Sequence, residues 1–219
     1  MKIYLIHAYN LSVLEQLRYE EALVRADDRN WCIINEGSSD AVVLGISGKV
    51  EEHVNVEQTQ AYDIPIIRRF SGGGTVVVDE KTFFVSFIFN SAEAPCESTP
   101  QCVMKWTGDF YSSAYAPMPL QLRERDYVVG ERKCGGNAQY FCRDRWIHHT
   151  SFLWDYDAAK MQCLCLPERQ PEYRQQRDHS DFLCTLKEYF TSKEKIYSML
   201  RDELGNNFTV KEAALKDIE

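Results

Sequence analysis

Residues 68–80 read RRFSGGGTVVVDE: two arginines, a serine, three consecutive glycines and then a β-branched run. Ordering glycine costs more backbone entropy than ordering any other residue. Three in a row therefore mark either a backbone shape that needs glycine or a ligand that must come close. Here the glycines open a strand. A P-loop would need G-x-x-x-x-G-K-[ST], and the glycines of a dinucleotide fingerprint open a helix; neither pattern is present. Exposed backbone N–H groups in such a loop can turn toward an anion, and arginines beside them add forked cationic donors. On these residues alone two readings stay open: an anionic ligand against the loop, or a tight turn with two solvated arginines.

Around this stretch the pattern alternates between strand and helix signals without a regular βα repeat. Lys2–Ala8, Trp31–Asn35, Ala41–Ile46 and Pro65–Phe70 read as strands. Thr75–Asp79 and Thr82–Phe89 read as a hairpin turning at Asp79-Glu80-Lys81. Leu11–Arg25 reads as a helix with Leu14, Leu17, Ala22 and Val24 near helical spacing and Ser12 and Glu15 as a capping box. Glu51–Tyr62 is a polar helical crossing that stops before Pro65, and Glu97–Tyr115 is another helix. Leu120–Trp154 is dense in β-formers broken by Gly130, Gly135, Gly136 and Asp144, which predicts several antiparallel strands. Residues 170–181 form a long polar loop, and Leu186–Leu204 reads as a final helix stopped by Gly205-Asn206. The expected class is α+β: mixed or antiparallel β-sheets flanked by helices, in one domain over residues 1–219, with 185–219 as a C-terminal helix and tail.

Two further stretches carry chemistry. Gly130–Gln139 (GERKCGGNAQ) again places a cation beside small residues in β surroundings. Lys133 there offers a compact point charge with three donors; an isolated lysine near a turn is more often simply solvated. Trp146–Asp155 (WIHHTSFLWD) holds adjacent His148 and His149. On a strand these face opposite ways, so they do not chelate one metal together; one is expected to be buried and hydrogen-bonded, the other to line the site.

Bulk properties set the outer limits. The chain has 219 residues and a formal net charge of -8, which speaks against a general nucleic-acid binder. The N-terminal MKIYLIHAYN lacks the apolar core and cleavage site of a signal peptide, and no apolar run approaches the ~20 residues of a membrane span. A cytoplasmic or organellar protein without membrane or nucleic-acid partners is expected. There are eight cysteines and no C-x-x-C pair. They read as reduced structural thiols or, as the sharper alternative, include one reactive cysteine.

The order R-R-x-S-G-G-G, then G-x-[KR]-K-x-x-G-x-A-Q, then H-H-[TG]-[ST]-x-L resembles the biotin/lipoate protein ligase superfamily, and lipoate–protein ligase A within it. The resemblance covers roughly residues 10–160. It implies that lipoate or octanoate is activated with ATP and Mg²⁺ to an acyl adenylate and passed to a lysine of an apo lipoyl domain, of a 2-oxoacid dehydrogenase or of a glycine-cleavage H-type protein. Lys133 matches the family's essential lysine. By the same resemblance Arg68, Arg69, Ser71, Gly72, Gly73 and Gly74 form one wall for the adenylate. Gly135, Gly136, Asn137 and Ala138 form the other, with His149 and Thr150 near the acyl pocket. Asp126 and Asp79 are the weaker candidates for the Mg²⁺ neighbourhood, and no protein metal ligand is expected. Phe70, Val76, Val77 and the strand around Val128 are candidates for the acyl slot or else core. Arg123, Arg125, Arg132, Arg143 and Arg145 are expected to give the acidic acceptor a local basic face.

The chain departs from the family at three places: Val78 where a histidine often precedes Asp79, Ile46-Ser47 where a glutamine often follows the early glycine, and Arg125 where an asparagine often precedes Asp126. Bacterial ligases of the family also carry an accessory domain after the catalytic one. The alternatives are therefore a lipoyl-AMP-dependent transferase with an activating partner chain, a cysteine-dependent octanoyl or lipoyl transferase using Cys134, Cys163 or Cys165, and a non-catalytic protein that binds acyl-bearing domains.

Overall fold

The structure, a computed structural model, describes residues 1–166 and 170–218; Glu219, the end of the expected tail, lies outside them. Among these described residues eleven strands are arranged in two sheets. In chain order these are β1 Lys2–Tyr9, β2 Trp31–Glu36, β3 Ala41–Leu44, β4 Ile66–Arg68, β5 Val76–Val78, β6 Thr82–Asn90, β7 Leu120–Arg123, β8 Asp126–Val129, β9 Arg132–Cys142, β10 Arg145–Leu153 and β11 Thr209–Ala213. The helices are α1 Val13–Ala26, α2 Val50–His53, α3 Val56–Ala61, α4 Pro100–Ala114, α5 His179–Phe182 and α6 Lys193–Asn207. The large sheet runs β11-β1-β2-β6-β10-β9-β8-β7, and the small one β4-β3-β5. β1 is parallel to both neighbours and the rest of the large sheet is antiparallel. This is the expected α+β class of mixed sheets with helices packed on them.

Alternation along the central strands assigns the two faces. Phe83, Val85, Phe87 and Phe89 of β6 enter the main core with Val103, Phe110 and Tyr111 of α4 and Ile196, Leu200 and Leu204 of α6. Each such fully buried phenylalanine is worth about 2–3 kcal/mol of transfer free energy. The intervening Phe84 and Ile88 point to the opposite face, toward α1 and the small sheet. The same alternation separates the two histidines of β10, as expected.

α1 starts where Ser12 accepts a hydrogen bond from the Glu15 N–H and returns one to its carboxylate. Its buried stripe is Val13, Gln16, Leu17, Glu20, Leu23 and Val24, whereas Leu14 is exposed. The helical spacing therefore carries a glutamine and a glutamate into the interior.

Several expectations are corrected. Thr75–Asp79 and Thr82–Phe89 do not form a hairpin: β5 pairs with β3, and β6 pairs with β2 and β10. β6 is buried on both faces over Thr82–Phe89, and a central strand with two partners has no free edge for its predecessor. The turn is real (Thr82 N donates to Asp79 O at 3.1 Å), but it carries the chain from one sheet to the other. The crossing at 51–62 splits into α2 and α3, the second capped by Asn55. The final helix does not run from Leu186. A short 3₁₀ turn, Leu186–Glu188, precedes α6, which restarts at the Ser192 cap and includes Gly205 and Asn206. Beyond it Phe208 anchors in the core and β11 joins β1 in parallel, Lys2 opposite Thr209. The polar stretch 170–181 holds a 3₁₀ turn, Glu172–Arg174, and leads into α5. Among the described residues no helix is long and apolar enough to cross a membrane.

Candidate functional site

The glycine loop follows β4 and sits where the two sheets approach each other. Arg69 is buried, 6% exposed, and its guanidinium donates to the carbonyls of Gly74 at 2.7 Å, Gly72 at 3.3 Å and Val43 at 3.4 Å. No carboxylate among the described residues lies in ion-pair range of it, and burial pulls its pKa down to about 10. Arg68 points elsewhere, donating to the carbonyls of Gly45, Ile46 and Gly48; it braces the turn after β3.

The glycines divide into two kinds. Gly73 takes φ +121°, and a Cβ there would lie 2.7 Å from Arg69 and 3.0 Å from the Asn137 carbonyl. A Cβ at Gly45 would lie 2.5 Å from the Gly73 carbonyl. These two are required by close backbone approach. A Cβ at Gly72 would make only an ordinary contact, 3.9 Å from the Gln139 carbonyl, and one at Gly74 would meet nothing within 4 Å. Ser71 is fully buried with a hydroxyl that has no partner among the described residues.

The second wall is β9. It meets the loop directly: Gly72 N donates to Gln139 O at 3.2 Å, and Ala138 packs against Gly73. Lys133 sits near the start of the same strand, its Nζ 2.7 Å from Asp126 Oδ1. The lysine chain lies over Gly136, where a Cβ would stand 3.3 Å from Nζ. Gly135 instead makes room for Phe152, 2.6 Å from a Cβ there. Asn137 is turned away from the loop by its bond to the Arg125 carbonyl at 2.5 Å.

Between the walls and α1 lies a narrow cavity of about 60 Å³. Val13 and Leu17 of α1, Val43 and Val76 of the small sheet, and Phe84 make it apolar; Arg69, Gly74 and Asn137 stand on its polar side. Its inner end is a hydrogen-bonded pair, His149 Nδ1 to the fully buried Glu20 Oε2 at 2.7 Å. Burial opposes the Glu20 charge, yet His149 together with hydrogen bonds from Ser86 and Gln16 leaves its carboxyl below the usual range. The other His149 nitrogen, Nε2, is buried, has no partner among the described residues, and belongs to the cavity lining. His148 lies on the opposite face. It accepts at Nδ1 from Gln139 and donates at Nε2 to the Tyr127 hydroxyl, which donates on to Thr107. Burial, with the neighbouring His149, pushes its pKa down to about 3, so it is neutral. Thr150 accepts from the Tyr111 hydroxyl in the core.

Of the expected site residues the structure gathers Arg69, Gly72–Gly74, Ala138 and His149 about one cavity, with Lys133 and Gly136 beside its β9 wall. It places Arg68, Gly135 and the Thr150 hydroxyl in supporting contacts. Val76 lines the cavity; Val77 and Val128 pack in separate clusters, and Phe70 stacks edge-on against His149 and Tyr140. Glu20 and Gln16 were not singled out from the sequence, although 13, 16, 17, 20 and 24 share one helical face. The expected basic face is reduced: Arg123 pairs with Glu131 and Arg132 with Glu188, Arg145 is buried at the far end of β10 against the Arg29 carbonyl, and Arg125 and Arg143 remain exposed. Asp79 holds its own turn and lies 3.6 Å from Lys160. Among the described residues no cluster of three or more His, Cys, Asp or Glu side chains is arranged to hold a metal. Cys134 and Cys163 are buried with thiols pushed up, Cys134 by its contact with Cys184 and by burial, Cys163 by burial, the reverse of an activated nucleophile.

The family model of the lipoyl protein ligase A/B catalytic domain matches residues 12–210, and the chain belongs to that family. It is 27% identical, over 84% of its length and 63% of the relative's, to the inactive lipoate–protein ligase 2 of Plasmodium falciparum. It spans only 36% of the length of a probable lipoate-protein ligase A of Mycoplasma pneumoniae, at 27% identity over 57% of this chain. The fold matches, at TM-score 0.81 and 16% identity over 99% of this chain and 89% of the other, the bipartite lipoate protein ligase of Thermoplasma acidophilum that was solved in a study with its E2 lipoyl domain.

Proposed function

We propose that the chain is a lipoate–protein ligase acting through an acyl adenylate. In the first step the carboxylate oxygen of lipoate or octanoate attacks the α-phosphorus of ATP and pyrophosphate leaves. In the second, the lysine amine of an apo lipoyl domain attacks the acyl carbonyl, AMP leaves, and the amine sheds a proton. Both steps concentrate negative charge on phosphate or carbonyl oxygens. Fixed cations and N–H donors aimed at that charge are worth about 3 kcal/mol each.

The observation that carries this reading is the pairing of an apolar cavity with two differently held cations. The acyl chain lies along Val13, Leu17, Val43 and Val76, with the His149–Glu20 pair at its inner end. The open faces of Gly72 and Gly74 admit the phosphate, and Arg69 supplies buried positive charge lacking an anion. Lys133 turns from Asp126 to bridge the acyl carbonyl and the phosphate. Mg²⁺ accompanies the triphosphate, without a preassembled set of protein ligands.

A second reading has one specific observation behind it. Asp79, which a histidine often precedes in the family, follows Val78 here and is engaged in its own turn and with Lys160. That favours a chain that transfers from preformed lipoyl-AMP and leaves activation to a separate chain, as in a bipartite ligase. The raised thiols of Cys134 and Cys163 speak against the cysteine-dependent route.

The test is incubation with an apo lipoyl domain under two conditions, lipoate with Mg-ATP and preformed lipoyl-AMP, each with a Lys133→Ala control. Modification under both supports the full ligase; modification from lipoyl-AMP alone supports the transferase. Modification under neither removes both readings and leaves a cysteine-dependent transferase through Cys165, tested with an acyl-carrier donor and a Cys165→Ser variant, or a non-catalytic binder.

A further inference from the structure

Residues 171–184 form a strap across the β8–β9 hairpin, and it holds Lys133 at both its backbone and its side chain. At the backbone, Cys184 N donates to the Lys133 carbonyl at 2.9 Å, and Leu183 bridges Lys133 in parallel. At the side chain, the Tyr173 hydroxyl donates to Asp126 Oδ2 at 2.8 Å, while Asp126 Oδ1 faces Lys133 Nζ at 2.7 Å. The two carboxylate oxygens are thus divided, one for the phenol and one for the ammonium. Tyr173 is 2% exposed and packed with Val128, Phe182 and Leu183, so its hydroxyl has little freedom. The Arg177 guanidinium donates both to the Tyr173 carbonyl and to the Glu131 carbonyl at the hairpin turn, 2.8 Å each, which fixes the strap to the hairpin next to Lys133.

We infer that Tyr173 is a positioning residue: through Asp126 it sets the place of the Lys133 ammonium before the adenylate arrives. The inference deepens the reading of Lys133 as the adenylate clamp and rests on it. A carboxylate with one oxygen pinned by a buried phenol has a single orientation left for the other. Without the phenol, Asp126 rotates and the lysine samples solvent. Because the phenol acts on Lys133 only through Asp126, the expected loss is a fraction of the worth of one charge-assisted hydrogen bond, roughly three- to tenfold in rate. It falls on kcat, since Tyr173 and Asp126 are both buried and present almost no surface to an acceptor domain.

Tyr173→Phe keeps the ring and removes only the donor; Asp126→Asn keeps the shape and removes the charge. The full ¹⁵N-labelled chain is examined for the Lys133 ammonium line, assigned by its disappearance in Lys133→Arg, and for the rate of transfer from lipoyl-AMP. The expected result is a Lys133 line present in the wild type and lost in both variants. In Tyr173→Phe, kcat falls three- to tenfold with KM for the lipoyl domain unchanged, and the same substitution adds no further loss on the Asp126→Asn background. A Lys133 line unchanged in Tyr173→Phe, or rate losses that multiply in the double variant, overturns the inference. A wild type that shows the line but transfers nothing counts against the ligase reading, and the line alone then decides the role of Tyr173.

Discussion

The two glycine-rich walls of the cavity resemble each other in sequence and differ in how their charge is held. On the loop wall, Arg69 is buried among backbone carbonyls with no carboxylate of the described residues in range, and two of the three loop glycines have room before them, Gly74 facing open space. On the β9 wall, Lys133 is 27% exposed and already paired with Asp126, and both glycines have their space filled, Gly135 by Phe152 and Gly136 by Lys133 itself. A buried cation without a counter-ion carries a desolvation cost that an incoming anion relieves. A paired, half-exposed cation can exchange one anion for another. The first wall is built to receive charge, and the second to follow it.

The largest effect expected from this contrast is on Lys133. Lys133→Ala should lower transfer from lipoyl-AMP at least about 100-fold, while the melting temperature moves little, because half-exposed ion pairs contribute about 1 kcal/mol or less. A melting temperature that collapses with the activity would make Lys133 structural and erase the distinction. Next come the loop glycines. Gly73→Ala, at φ +121° and in contact with Arg69 and the Asn137 carbonyl, should cost about 2 kcal/mol in urea unfolding. Gly74→Ala, with open space before it, should leave stability within about 0.5 kcal/mol and weaken adenylate binding instead. Equal stability losses at the two positions would show that the loop glycines serve the turn alone.

The smallest effect separates the histidines. His148, with its pKa pushed down to about 3 by burial, binds fewer protons folded than unfolded between that value and its ordinary one near 6.5. Stability should therefore fall as pH drops below about 6.5, with a slope approaching 1.4 kcal/mol per unit from this group. Glu20, held below the usual carboxylate range, acts in the same direction only near and below its ordinary value, as its charge is lost. His148→Gln should flatten the urea midpoint between pH 6.5 and 5 relative to the wild type; an unchanged profile there would mean that His148 is not the neutral, buried group described.

What the sequence disclosed follows the same line between local and distant contacts. The Arg69–Gly74 loop, Lys133 and the opposed histidines could be read from residue type and spacing, because strand alternation and glycine placement are local properties. The partner of His149 could not, since Glu20 lies 129 residues away; only the helical stripe through Val13, Gln16, Leu17 and Glu20 hinted at it. The separation of β5 from β6 and the docking of β11 on β1 depend on which edges remain free, which no local pattern states. Residues 170–181 read as a polar loop because their hydrogen bonds end on the β8–β9 hairpin. The five arginines read as a basic face because the carboxylates that neutralise Arg123 and Arg132 sit on other segments or turns.

The central claim, that the two walls together receive an acyl adenylate, is tested most directly by calorimetric titration of the full chain with a non-hydrolysable lipoyl-sulfamoyl adenosine. One saturable site per chain is expected, weakened at least tenfold by Gly74→Ala and by Lys133→Ala. No binding to the wild type, or binding that both substitutions leave unchanged, would contradict it.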